Sequence, residues 1–564
     1  MNRFAFPHIL PPCAPVEPAF SRHFSGWQLG MGLPEALAGL LPGLFILSEK
    51  HPGCRSAAVG MALWGMQAHP LDPKLARWAV KAVNLGLKAD PTLARLMVLS
   101  ADLGRPEEGE ATEVWYDLAR QDDRGLILRF LAVVLGDPAK GLGWLHFIWR
   151  DLLHLDRPEI AMAALDMVKW TGPTLPLRAR FEADRAFHCL PPEEALPVIE
   201  ALDPNLWGLW RAYAGGETLL RLGRTGEAKG ALAGLWQAIP WHVNLTLKLH
   251  DIFRPAPVAA PEACGEAAVL VYSWNKADLL AATLDSLYAS DLGPARIFAL
   301  NNGSTDHTDR VLASAVRRFG ADRLLVETLP VNVGAPAARN WLLSLPEVRR
   351  AKWAAFLDDD VVLPPDWLRR LLGPVEGRDD IGAVGCRITG AVPPHGLQSA
   401  DYNLFPSPPP APEPDTLPNR VQVYDNCAGS PDSGLFTYTR PCLSVSGCCH
   451  LVSIASIART GGFDLRYTPS QFDDLDRDLR AGLDGTPALY VGSLAVRHVQ
   501  HSSLAKSKTA RQIGLIMGNK LKLDTKYSDA ELIRLGRENS ALLWADLECK
   551  ARFLADRLGL TARS

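Results

Sequence analysis

The feature that most constrains this 564-residue chain is a change of hydrophobic period at a proline-rich stretch, Arg254-Pro255-Ala256-Pro257, continuing to Pro261. Before it, residues 20–250 are rich in Leu, Ala and Trp at helical spacing and poor in strand-like alternation. That pattern predicts an all-helical half. After it, short apolar strands at 267–272, 296–300, 324–328 and 353–357 alternate with amphipathic helices, which reach about 288 and 319 and then cover 335–345 and 365–372. Alternation of this kind predicts a mostly parallel sheet with helices on both faces. Helical pattern returns over 505–564, most clearly at 530–535 and 540–558. The expected units are a helical region at 20–253, a linker at 254–265, a Rossmann-like α/β domain at 266–504 and a helical extension at 505–564.

Composition removes several classes of partner. With 59 basic and 62 acidic residues the formal charge is -3, so no overall field recruits nucleic acid or an anionic membrane. The apolar run 36–47 is broken by Pro42 and is too short to span a bilayer. Pro7, Pro11, Pro12 and Pro15 break any signal-peptide core, so a cytoplasmic protein without a transmembrane segment is expected. Ten cysteines occur without a C-x-x-C pair, which argues against a zinc ribbon or a disulfide framework. Cys442, Cys448, Cys449 and His450 fit no common ligand spacing and read as reduced thiols in a loop or core. Residues 406–418, with Pro408, Pro409, Pro410, Pro412 and Pro414, exclude helix and central strand and read as a surface loop bordering the acceptor side of a site.

In the helical half a small residue precedes a proline by the same interval three times: Ala79 and Pro91, Ala161 and Pro173, Ala228 and Pro240. The stretch 209–240 places Gly216, Gly223, Ala228, Leu232 and Pro240 where a tetratricopeptide repeat packs and ends its helices, and it resembles that family. Such helix pairs stack into a solenoid whose concave face can hold a protein partner, or they brace the neighbouring domain. Trp207, Trp210, Trp236 and Trp241 could line a groove, although aromatics at helical spacing are more often core.

The polar residues of the α/β half gather at strand ends. The first strand ends in Tyr272-Ser273-Trp274-Asn275-Lys276, where an aromatic can stack on a base. The second ends in Asn301-Asn302-Gly303-Ser304-Thr305-Asp306, a turn whose amides can read a nucleobase edge. After the third come Arg339, able to meet phosphate, and Asn340. The fourth ends in Asp358-Asp359-Asp360, three carboxylates whose mutual repulsion a divalent cation with oxygen ligands would relieve.

Taken with Pro365-Asp366-Trp367-Leu368, Gly447, Gly461-Gly462-Phe463-Asp464, Asp473-Asp474-Leu475-Asp476, Arg480 and Val496-Arg497-His498, these segments resemble family 2 glycosyltransferases over about residues 266–502. The resemblance implies a GT-A fold and an inverting transfer of sugar from a nucleotide-sugar donor to a glycan or protein hydroxyl. It implies Mn²⁺ or Mg²⁺ held by Asp358 and Asp360 with His498, and places Asp359 among the residues of the nucleotide-sugar site, where it shapes the turn. A donor site would be formed by Tyr272, Trp274, Asn275, Asn301, Asn302, Arg339 and Asn340. Asp474 would be the base, with Asp473 orienting the acceptor or raising the base's pKa. Two departures stand out: Asn301 and Asn302 replace aspartates that would bind uracil, which leaves GDP- and dTDP-sugars open beside UDP-sugars, and Trp274 replaces a tyrosine. A nucleotidyltransferase would share the sheet and acidic site but would carry a Gly-rich loop after the first strand, and Tyr272 to Lys276 contains no Gly. A protein-binding scaffold with a decayed transferase is the third reading. Against it stand Asp358, Asp360, Asp474 and His498, retained together.

Overall fold

The computed structural model describes residues 3–7, 10, 18–30, 32–121, 123–155, 157–393, 395–405, 419–425, 427, 429–499 and 510–560. The proline-rich stretch 406–418 lies outside these residues.

From Pro34–Lys50 to Val243–Phe253 the described chain is helical. Asp-Pro pairs open several of its helices. Asp72 accepts from the N–H groups of Lys74 and Leu75, and Asp90 from Thr92, while Pro73 and Pro91 occupy the first helical positions, where a fixed φ and a missing N–H cost nothing. Pro91 therefore starts the helix Pro91–Ala101 rather than ending the one that contains Ala79. The unit at 209–240 follows the expected pattern more closely. Helices Pro204–Arg221 and Thr225–Ala238 pack together, Gly223 turns the chain at φ 71°, and a Cβ on Gly216 would sit 2.8 Å from Leu232. Trp207, Trp210, Trp236 and Trp241 are all buried and do not line an open groove, although Trp210 borders an internal cavity.

The twelve described strands of the second half are β1 Ala267–Ser273, β2 Arg296–Asn301, β3 Leu324–Thr328, β4 Trp353–Leu357, β5 Val361–Val362, β6 Ala383–Gly390, β7 Leu397–Ser399, β8 Tyr402–Leu404, β9 Val423–Asp425, β10 Thr439–Cys442, β11 Cys449–Ser453 and β12 Ala488–His498. Ten of them form one sheet with the order β10-β12-β6-β11-β4-β1-β2-β3, in which β5 joins β12 and β7 joins β6; β8 and β9 pair separately. The run β3-β2-β1-β4 is parallel, as the alternating pattern predicts. Beyond β4 the sheet is mixed, because β11 runs antiparallel to both β4 and β6 while β12 is parallel to β6. Successive residues of the central strands enter opposite cores. Val269, Val271, Ile297 and Leu357 pack on one face, and Leu270, Phe298, Leu300 and Phe356 on the other. All four parallel strands end at one edge, so the loops after them converge.

The halves are joined by packing as well as by sequence. The linker is ordered: Ala259 exchanges hydrogen bonds with Arg369, and Cys264 is buried. Lys248 Nζ lies 2.7 Å from Glu217 Oε2 and donates to the Gly434 carbonyl at 2.8 Å, so a buried ion pair of the helical half grips a loop of the α/β half. Arg387 of β6 and Asp432, 3.4 Å apart, flank the same seam. The extension folds back. Asp529–Arg557 is one helix where two segments are expected, opened by a Ser528–Glu531 capping box, and it packs on Val243–Phe253. Its Trp544 indole donates to the Phe24 carbonyl at 2.9 Å. Among the described residues no helix is long and apolar enough to cross a membrane.

Candidate active site

The loops after β1 and β2 are stapled reciprocally. Asn275, at φ 52°, turns its Oδ1 to accept from Thr305 N at 2.7 Å, and Asp306 Oδ2 accepts from Ala277 N at 3.0 Å. The amides expected to read a base are largely engaged within the protein. Asn301 donates to Asp309 at 2.6 Å and accepts from Ser304 N at 2.9 Å. Asn302 donates to Asn332 at 3.0 Å and accepts from Val333 N at 3.0 Å. Both are buried and order the loops that border the strand ends. Trp274 is about half exposed at this edge, which leaves its ring available for stacking.

At the end of β4 the three aspartates part company. Asp359 and Asp360 are buried and share Lys276, whose Nζ lies 3.2 Å from Asp359 Oδ1 and 3.1 Å from Asp360 Oδ2. Burial pushes Asp359 up to about 6 despite that ammonium. Burial works against Asp360 too, but the hydrogen bond from His498 and the charge of Lys276 outweigh it and hold its carboxyl below the usual range. Asp358 is the more open of the three and faces His498 and Cys448. One donor atom each from Asp358, Cys448 and His498 lie within 4.8 Å of one another.

His498 closes β12 against this cluster. Its Nε2 is 3.0 Å from Asp360 Oδ1 and 4.0 Å from Asp358 Oδ2. Its Nδ1 is 2.7 Å from Gln398 Oε1, and the Gln398 amide nitrogen donates to the His498 carbonyl at 3.3 Å. That second bond orients the Gln398 oxygen toward Nδ1–H, while Nε2 is turned to the carboxylates and donates to Asp360, so a cation would take the place of the Nε2 proton. This is the arrangement that prepares a histidine for a cation. Burial lowers the imidazole pKa, but the bond to Asp360 raises it more, so the net shift is upward.

The acidic pair opens the helix Asp473–Leu483, behind two left-handed residues, Gln471 (φ 82°) and Phe472 (φ 69°). Such conformations cost energy in non-glycine residues and are held only where the surroundings enforce them. Asp473 is buried, and its Oδ2 receives Arg339 Nη1 at 2.8 Å. Burial raises Asp473 to about 6, against the pull of Arg339. Asp474 is half-buried, with Oδ2 accepting from Gly447 N at 2.9 Å and Oδ1 from Leu475 N at 2.8 Å. A Cβ on Gly447 would lie 2.5 Å from Asp474 Oδ2, so only glycine allows that approach.

Arg339 joins the two acidic centres, and its Nε has no hydrogen-bond partner among the described residues. Besides Asp473 it lies 3.8 Å from Asp358 Oδ1, and its guanidinium sits 5.5 Å from the Tyr272 ring and 5.1 Å from Phe463. Burial pushes the Tyr272 phenol up. Asn340 clamps the Gly461-Gly462-Phe463 turn by bonding both the N–H and the carbonyl of Phe463, at 2.8 and 2.7 Å. Arg480 holds the same turn through the Gly462 carbonyl at 2.6 Å.

Sequence reasoning gave no role to Lys276, Gln398 or Cys448. Lys276 was visible as the end of the first strand motif. Cys448 was legible only through the register of β11 on β4, which pairs Cys449 with Leu357 and so sets Cys448 beside Asp358. Gln398 lies on a three-residue strand that no periodicity marks. The remaining thiols behave as expected: Cys442 and Cys449 are free and buried.

Residues 268–409 match the sequence model described as glycosyl transferase family 2. No curated protein matches the chain. Among solved structures it is similar to GalNAc-T7 with UDP, GalNAc and Mn²⁺, at 12% identity and a TM-score of 0.35, over 52% of this chain and 58% of that one. It is also similar to the mannosyltransferase PcManGT from Pyrobaculum calidifontis in complex with GDP-Man and Mn²⁺, at 14% identity and 0.32, over 61% and 92%. A third is TarS of S. aureus, at 16% identity and 0.28, over 42% and 36%. This chain thus spans about 58% of the length of the first of these. The match over residues 268–409 covers about a quarter of the chain and falls within its α/β half, which is thus similar to glycosyl transferase family 2.

Proposed function

We propose that the protein is an inverting glycosyltransferase that takes a sugar from a nucleotide-sugar donor and transfers it to a hydroxyl of a glycan or protein acceptor. The observation that carries this reading is the pair of acidic centres, Asp358 with His498 and Asp474 on Gly447, joined through Arg339 at one sheet edge.

The donor set fits a divalent cation such as Mn²⁺ or Mg²⁺. Asp358 and His498 Nε2 would hold it, with Asp360 Oδ1, 3.0 Å from the same nitrogen, as the second carboxylate at hand. When bound, such a cation neutralises charge developing on a departing diphosphate. The protein's own groups do the rest. Lys276 offsets the charge of Asp359 and Asp360 and keeps both side chains in place. Trp274 and Tyr272 form an aromatic wall beside the strand ends for the base and ribose. Asp474 takes the proton of the acceptor hydroxyl as it attacks the anomeric carbon, its carboxylate fixed by two backbone N–H groups and so already oriented before the acceptor arrives. Asp473 and Arg339 are positioning residues, one holding the other between the two centres.

The test offers UDP-, GDP- and dTDP-sugars to the full-length protein with Mn²⁺ and follows release of nucleoside diphosphate. Release from one class that depends on the cation supports the reading. No release from any of the three, with no nucleotide raising the melting temperature, overturns it.

A further inference from the structure

We propose that Cys448 is a third protein ligand of the cation site and gives it a preference for thiophilic divalent ions that an aspartate-only site would lack. The inference rests on the reading of Asp358 and His498 as cation ligands and extends it to the identity of the ion.

Three observations carry it. The β4–β11 register fixes Cys448 at the strand end: Asp358 N donates to the Cys448 carbonyl at 3.1 Å, one step beyond the Leu357–Cys449 pair. Cys448 Sγ, a carboxylate oxygen of Asp358 and an imidazole nitrogen of His498 lie within 4.8 Å of one another. Cys448 is also half-buried, unlike Cys442 and Cys449, which are sealed in the core.

The donor set decides the preference. A site of carboxylates and water suits Mg²⁺ and Mn²⁺, whereas one thiolate, one imidazole and one carboxylate suit Zn²⁺, Co²⁺ or Fe²⁺. Three protein ligands leave a coordination position open, as catalytic sites of this kind require, and a diphosphate oxygen can take it. As the sulfur–metal bond forms, the thiol proton leaves to solvent, so one proton is released for each ion bound.

Titration of the full-length protein with Co²⁺ tests this without any turnover, because cobalt reports its ligands in its absorption spectrum. The expected result is visible d–d bands together with an intense near-ultraviolet sulfur-to-cobalt charge-transfer band. In Cys448→Ser and Cys448→Ala the d–d bands remain and the charge-transfer band disappears, while the preference for Zn²⁺ over Mg²⁺ falls by at least about tenfold. If wild type shows d–d bands without charge transfer, or if charge transfer survives both substitutions, Cys448 is not a ligand and the cation site stands without it. If folded wild type gives no cobalt bands at all, the proposal fails together with the cation reading beneath it.

Discussion

Two regions of this molecule bury charge, and they do it differently. At the seam between the halves, Lys248 and Glu217 are almost wholly buried, 2.7 Å apart, and Lys248 spends its remaining donors on the Gly434 carbonyl and Thr437 Oγ1. Opposite charges are matched, and nothing is left to offer a ligand. At the strand ends, carboxylates outnumber their cations: Asp358, Asp359, Asp360, Asp473 and Asp474 share Lys276, Arg339 and His498. Two of those carboxylates, Asp358 and Asp474, keep an open face. Matched burial builds architecture, while crowding of one sign at an open edge stores the means to bind a cation and accept a proton.

The largest effect is expected at the open region. Asp474→Asn keeps an oxygen for the Gly447 N–H but removes the base, so transfer falls by about 10²- to 10⁴-fold while nucleotide binding persists. Transfer rates paired with a calorimetric titration of nucleotide check both halves of that statement. At the closed region, Lys248→Met leaves the Glu217 carboxylate buried without its main partner and should cost about 3–5 kcal/mol, read as a lower urea midpoint with an unchanged site. Gly447→Ala sharpens the contrast within the site. It drives a methyl group to 2.5 Å from Asp474 Oδ2, and a displacement of that kind costs about 10²-fold in transfer. The variant should remain folded by circular dichroism.

The two halves also differ in how they respond to acid. In the helical half, burial pushes His146, His188 and His242 down to about 4 from 6.5. The unfolded chain therefore binds more protons between those values, and stability falls as the pH drops from 6.5 toward 4. His146 and His188 line a cavity of about 440 Å³ between this half and residues 430–436. In the α/β half, Asp359 and Asp473 are raised to about 6 from 3.8. The folded state binds more protons there, so their contribution is fullest below 3.8 and is lost as the pH rises through 6. Amide exchange at pH 7 and pH 5 should show the helical half losing protection first on acidification. Equal loss in both halves would contradict the assignment of these shifts to burial in different domains.

Local pattern made much of this legible. The strands 324–328 and 353–357 are read from sequence with the ends they have in the fold, because each is a short apolar run bounded by turn residues. Asp358 and Asp360 could be anticipated because they follow directly on a strand, whereas Asp474 and His498 were legible only through the resemblance to family 2 glycosyltransferases. What could not be read was set by pairing between distant segments. The antiparallel β11 turns a parallel sheet into a mixed one and carries Cys448 to Asp358. The short β7 brings Gln398 to His498. The pairing of Arg339 with Asp473 could not be read either, because 134 residues separate them. Pro91 looked like a helix stop because the spacing that ends one repeat opens the next.

The proposed activity requires one site that binds a nucleoside diphosphate with the help of a divalent cation at Asp358 and His498. Calorimetric titration of the full-length protein with UDP, GDP and dTDP, with and without Mn²⁺, tests it most directly, with Asp358→Ala alongside. The account predicts that one of the three binds in the presence of the cation, and that binding is lost or at least tenfold weaker without the cation and in Asp358→Ala. Binding that is indifferent to both, or no binding of any of the three, would contradict it.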